Sequence, residues 1–268
     1  MDQTVALTPS DRAREIDSLT HFVSAAVLSA PSVGEPFFHL LLDRIFPQAV
    51  YDKMLALMPV ADDYRPMHGR SRSAVREDGT PTRVKIDLFP EYIRSLPQEK
   101  RALWDIVGQA LCSEEVKQAF MTKLAPGLQR RFGADFAKVR MYPLPVLTRD
   151  TVGYLLPPHT DTRWKGITVQ LYLPPDDTIA HVGTIFNTRQ PDGGFTVTSR
   201  MQFMPNTGYA FAVGDNTWHS AEAADIGGKS RDSILLTYFV DDGLQRIVRN
   251  RGKRAGNFIL NEFRTLKR

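Results

Sequence analysis

The chain has 268 residues, a formal net charge of +4 and a single cysteine, Cys112. Hydrophobic residues at 42% and charged residues at 24% are ordinary for a globular protein, which excludes disordered and collagen-like chains. One cysteine cannot form an internal disulfide, which suits a reducing compartment, so we expect a cytoplasmic protein. No apolar run has the length needed to cross a bilayer, so we expect no membrane partner.

The first 135 residues favour helices. Ser10 and Asp11 are typical of a helix N-terminus, and apolar spacing predicts that this helix runs to about Leu28. Residues 37–46 are densely apolar, and their periodicity fits a strand as well as a helix. Further helices are predicted over three ranges, 48–58, 98–112 and 114–132.

Residues 59–85 form a predicted long loop that is rich in arginine, and such loops are often functional. Its excess of cations has two interpretations, a solvated surface or a contact with an anionic substrate, for which Arg70 and Arg72 are candidates. The basic C-terminal tail, 246–268, is expected to be a solvated surface. We expect no nucleic-acid partner, because no base-stacking or recognition motif accompanies the positive charge.

From residue 136 to about 245, short apolar or alternating runs are separated by turn signals such as Asp192-Gly193-Gly194. This spacing predicts a β-sandwich or barrel. No flexible linker separates the two halves, so we expect a single domain over 1–268. The predicted fold class is α+β with a mainly β core, and the helices of 1–135 pack on one sheet. The sequence leaves the oligomeric state open.

His159-Thr160-Asp161 is the central motif. Side chains two residues apart on a strand point to the same face, so the His159 imidazole and the Asp161 carboxylate can meet at one point. A second histidine, His219, follows 58 residues later. Two imidazoles and one carboxylate form the facial triad of non-haem Fe(II) oxygenases, which leaves the opposite face of the metal open.

Arg231 and Ser233 begin an apolar strand that follows His219. If this strand pairs with the His219 strand as a hairpin, Arg231 comes near the metal. Its guanidinium can then hold a carboxylate through two parallel hydrogen bonds, and Ser233 on the same face can donate another. Lys229 is the lesser candidate for this anchor.

This order of His-x-Asp, distal His and Arg-x-Ser, over roughly residues 138–240, resembles the Fe(II)/2-oxoglutarate-dependent dioxygenases, and most closely their prolyl-4-hydroxylase-like branch. The resemblance implies a double-stranded β-helix, a jelly-roll or cupin-like core. It implies that His159, Asp161 and His219 bind Fe(II). The co-substrates would be 2-oxoglutarate and O2, with succinate and CO2 released. Since family members that halogenate lack the carboxylate, Asp161 argues against halogenation. Hydroxylation is the default outcome that the resemblance implies, and desaturation, ring closure and epoxidation stay open.

The resemblance also implies roles for residues around the metal. Arg231 would pair with the distal carboxylate of 2-oxoglutarate, helped by Ser233. Three residues are candidate second donors to that carboxylate, namely Tyr142, Tyr154 and Thr168. Arg163 and Trp164, which flank the motif, are candidate contacts for substrate.

The sequence leaves the substrate open. We expect hydroxylation of an unactivated C–H bond in a small molecule or conjugated metabolite. The arginine-rich loop suggests the more specific hypothesis that this substrate carries an anionic group. One alternative is a peptidyl or protein hydroxylase with the same chemistry. Another is a non-catalytic metal- or sugar-binding β-barrel, which would not need the Arg231 anchor.

Overall fold

The computed structural model describes residues 8–67, 75–76, 78–223 and 226–241. Arg70, Arg72 and the basic tail at 246–268 lie outside the described residues. Within these ranges, no helix is both long enough and apolar enough to cross a membrane. The described α-helices are α1 (Pro9–Ser29), α2 (Gln48–Ala56), α3 (Pro90–Ile93), α4 (Gln98–Leu111), α5 (Glu114–Lys123) and α6 (Ala125–Phe132).

Helix α1 begins one residue before the predicted Ser10. Thr8 is its N-cap, because the Thr8 side chain accepts a hydrogen bond from the Asp11 amide, and Pro9 fills the first helical position where no amide hydrogen is needed. The buried face of α1 includes Leu19, Val23 and Val27 at intervals of four residues. This face packs against α4 and α5.

Twelve strands lie in the described part of the chain, and all their pairings are antiparallel. They are β1 (Ser32–Val33), β2 (His39–Asp43), β3 (Arg65–Pro66), β4 (Arg83–Asp87), β5 (Met141–Asp150), β6 (Leu156–His159), β7 (Lys165–Tyr172), β8 (Ile185–Arg189), β9 (Phe195–Arg200), β10 (Thr207–Ala212), β11 (His219–Ala221) and β12 (Arg231–Val240).

The strands form two sheets. The larger has the order β1-β2-β10-β7-β12-β5-β4-β3, and the smaller has the order β6-β11-β8-β9. From β5 onward the chain crosses repeatedly between the sheets, which places β5, β7, β10 and β12 opposite β6, β8, β9 and β11. This interleaved order is that of a double-stranded β-helix, so the predicted fold is confirmed.

Two hydrophobic cores flank the large sheet. One lies between the helices and the outer face, to which β12 contributes Ile234, Leu236 and Tyr238. The other lies between the sheets and is largely aromatic, with Phe186 and Phe211 at its centre. Alternation along β12 therefore sends Arg231 and Ser233 to the inner face. The expected packing of N-terminal helices on one sheet is confirmed.

Several sequence predictions differ from the structure. The first 135 residues supply four strands as well as helices, and residues 39–43 of the ambiguous apolar segment form β2. The predicted loop at 59–85 contains β3 and the start of β4. The expected hairpin between the His219 and Arg231 strands is wrong, because β11 pairs with β6 and β8 whereas β12 pairs with β5 and β7.

Candidate metal centre and its cavity

His159, Asp161 and His219 come together between the two sheets. His159 is the last residue of β6 and His219 the first of β11, and the two are direct partners across these antiparallel strands. Their ring centroids are 4.3 Å apart. One ligand atom from each of the three residues lies within 4.8 Å of the others, so the arrangement can hold a single metal ion.

Backbone carbonyls orient both imidazoles. Nδ1 of His159 lies 3.0 Å from the Pro157 carbonyl oxygen, and Nδ1 of His219 lies 3.0 Å from the Thr217 carbonyl oxygen. Because a carbonyl oxygen only accepts, each Nδ1 must carry the proton and donate it. The Nε2 lone pair of each ring is then available for a metal, which is the arrangement that outer hydrogen bonds commonly impose on ligating histidines.

Burial keeps His219 neutral. It lowers the pKa of this histidine to about 4, although the Asp161 carboxylate opposes the shift. A neutral imidazole is the form that binds metal, so His219 needs no deprotonation to do so at neutral pH.

Asp161 is held as a carboxylate by two donors. Lys165 Nζ donates to Oδ1 at 2.5 Å, and Thr168 Oγ1 donates to Oδ2 at 2.6 Å. Burial by itself raises the pKa of the Asp161 carboxyl, but the Lys165 ammonium and these two hydrogen bonds outweigh burial and lower it. Each oxygen keeps a further lone pair for a metal. A donor set of two imidazoles and one carboxylate fits Fe(II).

Arg231 reaches the same cavity from the large sheet. On β5, Asp150 is its direct cross-strand partner, and Asp150 also faces Arg83 on β4. Both guanidinium groups pair with the Asp150 carboxylate. The Tyr154 ring lies against both, 4.2 Å from Cζ of Arg83 and 5.4 Å from Cζ of Arg231. One row of side chains thus crosses three strands beside the metal ligands.

Ser233 is fully buried one position further along this face. Gln170 Nε2 donates to its hydroxyl at 2.5 Å, and Thr148 Oγ1 lies 3.0 Å from the same hydroxyl. Gln170 lines the cavity that contains the metal ligands. Ser233 therefore contacts the cavity through Gln170, and its predicted direct contact with a co-substrate stays a prediction.

The structure separates the three candidates for the second carboxylate donor. Tyr154 lies beside Arg231, whereas the Thr168 hydroxyl donates its hydrogen bond to Asp161. Tyr142 is at the other end of β5 from Asp150, where it stacks on Phe239 at a centroid distance of 5.6 Å. Of the three, Tyr154 is the one placed next to the Arg231 guanidinium.

Lys229 lies away from the metal ligands. Its ammonium contacts Thr178 and the Asp176 carboxylate, which is 3.3 Å away. Of the two candidates for the anchor, Arg231 lines the cavity of the metal ligands.

Asp161 lines two cavities. The smaller, of about 130 Å³, is lined by the three metal ligands and by Arg83, Tyr154 and Arg231. The larger, of about 1040 Å³, is lined by Arg163 and Trp164, and it includes residues of α6 and of the segment before β2. Both predicted substrate contacts therefore lie in a cavity next to a metal ligand. Arg70 and Arg72 lie outside the described residues.

Sequence reasoning missed four site residues, Arg83, Asp150, Lys165 and Gln170. Arg83 was counted only as part of the arginine-rich loop, and its contact with Asp150 spans 67 residues of sequence. Lys165 lies four residues after Asp161, at the start of β7. A lysine so close to a metal-ligand motif was a signal that could have been followed. No comparable signal marks Asp150 before the strand pairing is known.

Comparisons with known proteins leave the family open. No family model matches the chain, and no curated protein matches its sequence. Among solved structures, it is similar to a prolyl hydroxylase from Trichoplax adhaerens in complex with a peptide of hypoxia inducible factor, with 10% identity, 88% of this chain and 94% of that chain covered, and a TM-score of 0.47.

Two further structures are similar over most of the chain. A prolyl-4-hydroxylase from Pseudomonas putida is 13% identical, with 82% of this chain and 99% of that chain covered and a TM-score of 0.47. The non-heme alpha ketoglutarate dependent epimerase SnoN from nogalamycin biosynthesis is 12% identical, with 83% and 81% covered and a TM-score of 0.45. The strand order defines the fold of this chain independently of these similarities.

Proposed function

We propose that this protein is an Fe(II)- and 2-oxoglutarate-dependent dioxygenase that hydroxylates an unactivated C–H bond. One observation carries the proposal. Two oriented imidazoles and an ionised carboxylate face the same small cavity as a row of guanidinium groups. The first set fits Fe(II), and the second fits the far carboxylate of a dicarboxylic acid. A cytoplasmic location remains part of the proposal.

Each residue has a defined task in this proposal. His159, His219 and Asp161 hold Fe(II), while the Pro157 and Thr217 carbonyls fix the two rings. Bound Fe(II) and 2-oxoglutarate together supply O2 activation, in which 2-oxoglutarate becomes succinate and CO2 and the substrate gains a hydroxyl group.

The remaining side chains orient and enclose the co-substrate. The guanidinium row of Arg83 and Arg231, with Tyr154 beside it, faces the distal carboxylate, and Gln170, held by Ser233, lines the same cavity. Lys165 and Thr168 keep Asp161 ionised and in position. Preorganised donors of this kind need no rearrangement during the reaction.

We further propose that the substrate is a small molecule bound in the larger cavity. Its volume of about 1040 Å³ is just above the range of roughly 300–1,000 Å³ that is usual for small-molecule sites. Trp164 offers an apolar surface, and the exposed Arg163 offers a cation for an anionic group. Because Asp161 lines both cavities, a molecule bound at the Asp161 end of the larger cavity would lie next to a metal ligand.

Conversion of 2-oxoglutarate to succinate tests this proposal. Purified protein with Fe(II) and O2 should form succinate slowly alone and faster with a substrate found in a metabolite panel, whereas His219→Ala should form none. Acceleration by a peptide panel alone would replace the small-molecule substrate with a peptide. Absence of succinate under all conditions, from folded and iron-loaded protein, would favour a binding barrel.

The substrate cavity has its own test. Arg163→Gln and Trp164→Leu should raise the KM for the substrate found in the panel while leaving the KM for 2-oxoglutarate unchanged. Arg189→Gln is a matched control, since this exposed arginine lies over Trp218 on the small sheet. Unchanged substrate KM in both cavity variants would exclude this cavity as the binding site.

A further inference from the structure

The row formed by Arg83, Asp150 and Arg231 contains two positive charges and one negative charge. One carboxylate can be satisfied by one guanidinium through two parallel hydrogen bonds. Here two guanidinium groups share Asp150, and their side chains are only 13% and 6% exposed. Since an uncompensated buried charge is costly, the row is suited to receive one further anion.

The two arginines differ in the donors that they still offer. Each nitrogen of Arg231 already has a protein partner, which leaves only the second hydrogens of Nη1 and Nη2 for a ligand. Nε donates to Asp150, Nη2 lies 3.1 Å from the same carboxylate, and Nη1 donates to the Val182 carbonyl oxygen at 2.7 Å. Arg83 commits Nε and Nη2 to Asp150. Its Nη1 donates to no group within the described residues, and Arg83 lines the cavity that holds the metal ligands.

The Tyr154 ring restricts the orientation of the Arg83 guanidinium group. The ring lies 4.2 Å from Cζ of Arg83, within the range of a cation–π contact, and the ring is itself buried. With one edge on Asp150 and one face on Tyr154, the guanidinium retains little freedom. Its Nη1 is therefore a preorganised donor rather than a mobile surface group.

We propose that Arg83, on β4 beside β5 in the large sheet, is the principal donor to the distal carboxylate of the 2-oxo dicarboxylic acid. Arg231 then positions the Asp150 carboxylate and supplies the second positive charge of the row. This inference rests on the proposed function, because it names the anchor for that co-substrate. It transfers the direct contact from Arg231, where the sequence motif placed it, to a residue 148 positions earlier in the chain.

A pair of ligands isolates the distal carboxylate. 2-Oxoglutarate and 2-oxopentanoate share the keto-acid end that chelates metal, but the second has a methyl group in place of the far carboxylate. Binding of each to the Mn(II)-loaded protein is measured by isothermal titration calorimetry without O2, so no turnover is needed. The dissociation constant of 2-oxopentanoate divided by that of 2-oxoglutarate reports the contribution of the far carboxylate alone.

Arg83→Gln should lower this ratio at least about tenfold, since a hydrogen bond to a charged group is lost, while Mn(II) affinity is unchanged. Arg149→Gln is the matched control. It lies next to Asp150 on β5 but pairs with Asp232 on the opposite face, and it should keep the wild-type ratio. Circular dichroism checks the fold of each variant.

If Arg83→Gln does not fold, Arg83→Lys keeps a cation beside Asp150 without the fork and should lower the ratio by a smaller factor. An unchanged ratio in the folded Arg83 variant, with a reduced ratio in Arg231→Gln, would overturn the inference and return the anchor to Arg231. Equal wild-type affinity for both ligands would exclude any carboxylate anchor. Wild-type protein that binds neither ligand would instead overturn the proposed function.

Discussion

His159 and His219 are direct partners across β6 and β11, with ring centroids 4.3 Å apart. Residues 60 positions apart in sequence are thus joined by the pairing of two short strands of the small sheet. Each ring is also tied to a carbonyl two residues before it. The strand pairing sets the separation of the imidazoles, and the carbonyls set their direction, so the site is largely organised before any metal binds.

Removal of either imidazole should abolish tight metal binding. His159→Ala and His219→Ala each delete one of three ligands, and we expect Mn(II) affinity to fall at least a hundredfold in a competition titration against a chelator. His181→Ala is the control, because this exposed histidine lies in a short helical turn outside the triad. Equal loss in the control, or none in the triad variants, would contradict the assignment.

Replacement of Lys165 should strengthen metal binding. Its ammonium lies 2.5 Å from Asp161 Oδ1 and repels a divalent cation bound by the same carboxylate. Lys165→Met should therefore bind Mn(II) about tenfold more tightly. Lys165→Arg retains the charge and should bind as wild type does. Weaker binding by Lys165→Met would mean that orienting Asp161 matters more than the repulsion.

Acid should destabilise the metal-free protein through His219. Burial lowers the pKa of this imidazole to about 4, whereas the unfolded chain has an ordinary histidine pKa near 6.5. Between these values the unfolded state binds more protons, so the free energy of unfolding falls as pH falls.

The size of this effect can be measured by urea unfolding of the metal-free protein. Between pH 6.5 and 4.5, wild type should lose on the order of 2 kcal/mol more than His219→Asn, which cannot titrate there. Equal losses in the two proteins would show that the His219 imidazole is not kept neutral by the fold.

Much of the site followed from local pattern. The sequence predicted that His159 and Asp161 meet at one point, and their ligand atoms lie within 4.8 Å of each other, although Asp161 lies beyond the end of β6. The apolar run after Arg231 predicted the strand that this residue begins. The predicted hairpin between the His219 and Arg231 strands was wrong, because the chain alternates between two sheets. Arg231 reaches the cavity of the candidate metal ligands from the large sheet.

The remaining site residues depend on long-range register. Arg83 joins the site only because β4 pairs with β5, and β4 lies in a segment whose arginines and glycines indicated a loop. Asp150 has no local signal, since its partners are 67 and 81 residues away. Register of this kind is set by the packing of whole sheets, which a single sequence does not reveal.

Gly183 should be required for the backbone segment that accepts a hydrogen bond from Arg231. A Cβ at this position would collide with the Met201 carbonyl oxygen, and the adjacent Val182 carbonyl accepts from Arg231. Gly183→Ala should lower the free energy of unfolding by about 1–3 kcal/mol. Gly34→Ala is the matched control, since a Cβ there meets no atom within 4 Å. Chemical denaturation of both variants checks this, and equal stability would contradict it.

The central claim is that one cavity binds Fe(II) and 2-oxoglutarate together. Anaerobic titration of the metal-free protein with Fe(II) and then 2-oxoglutarate tests it most directly, through the weak visible charge-transfer band of the chelate. The band should appear in wild type, be absent in His219→Ala and require more 2-oxoglutarate in Arg231→Ala. Folded protein that binds Fe(II) but shows no band at any concentration of 2-oxoglutarate would contradict the claim.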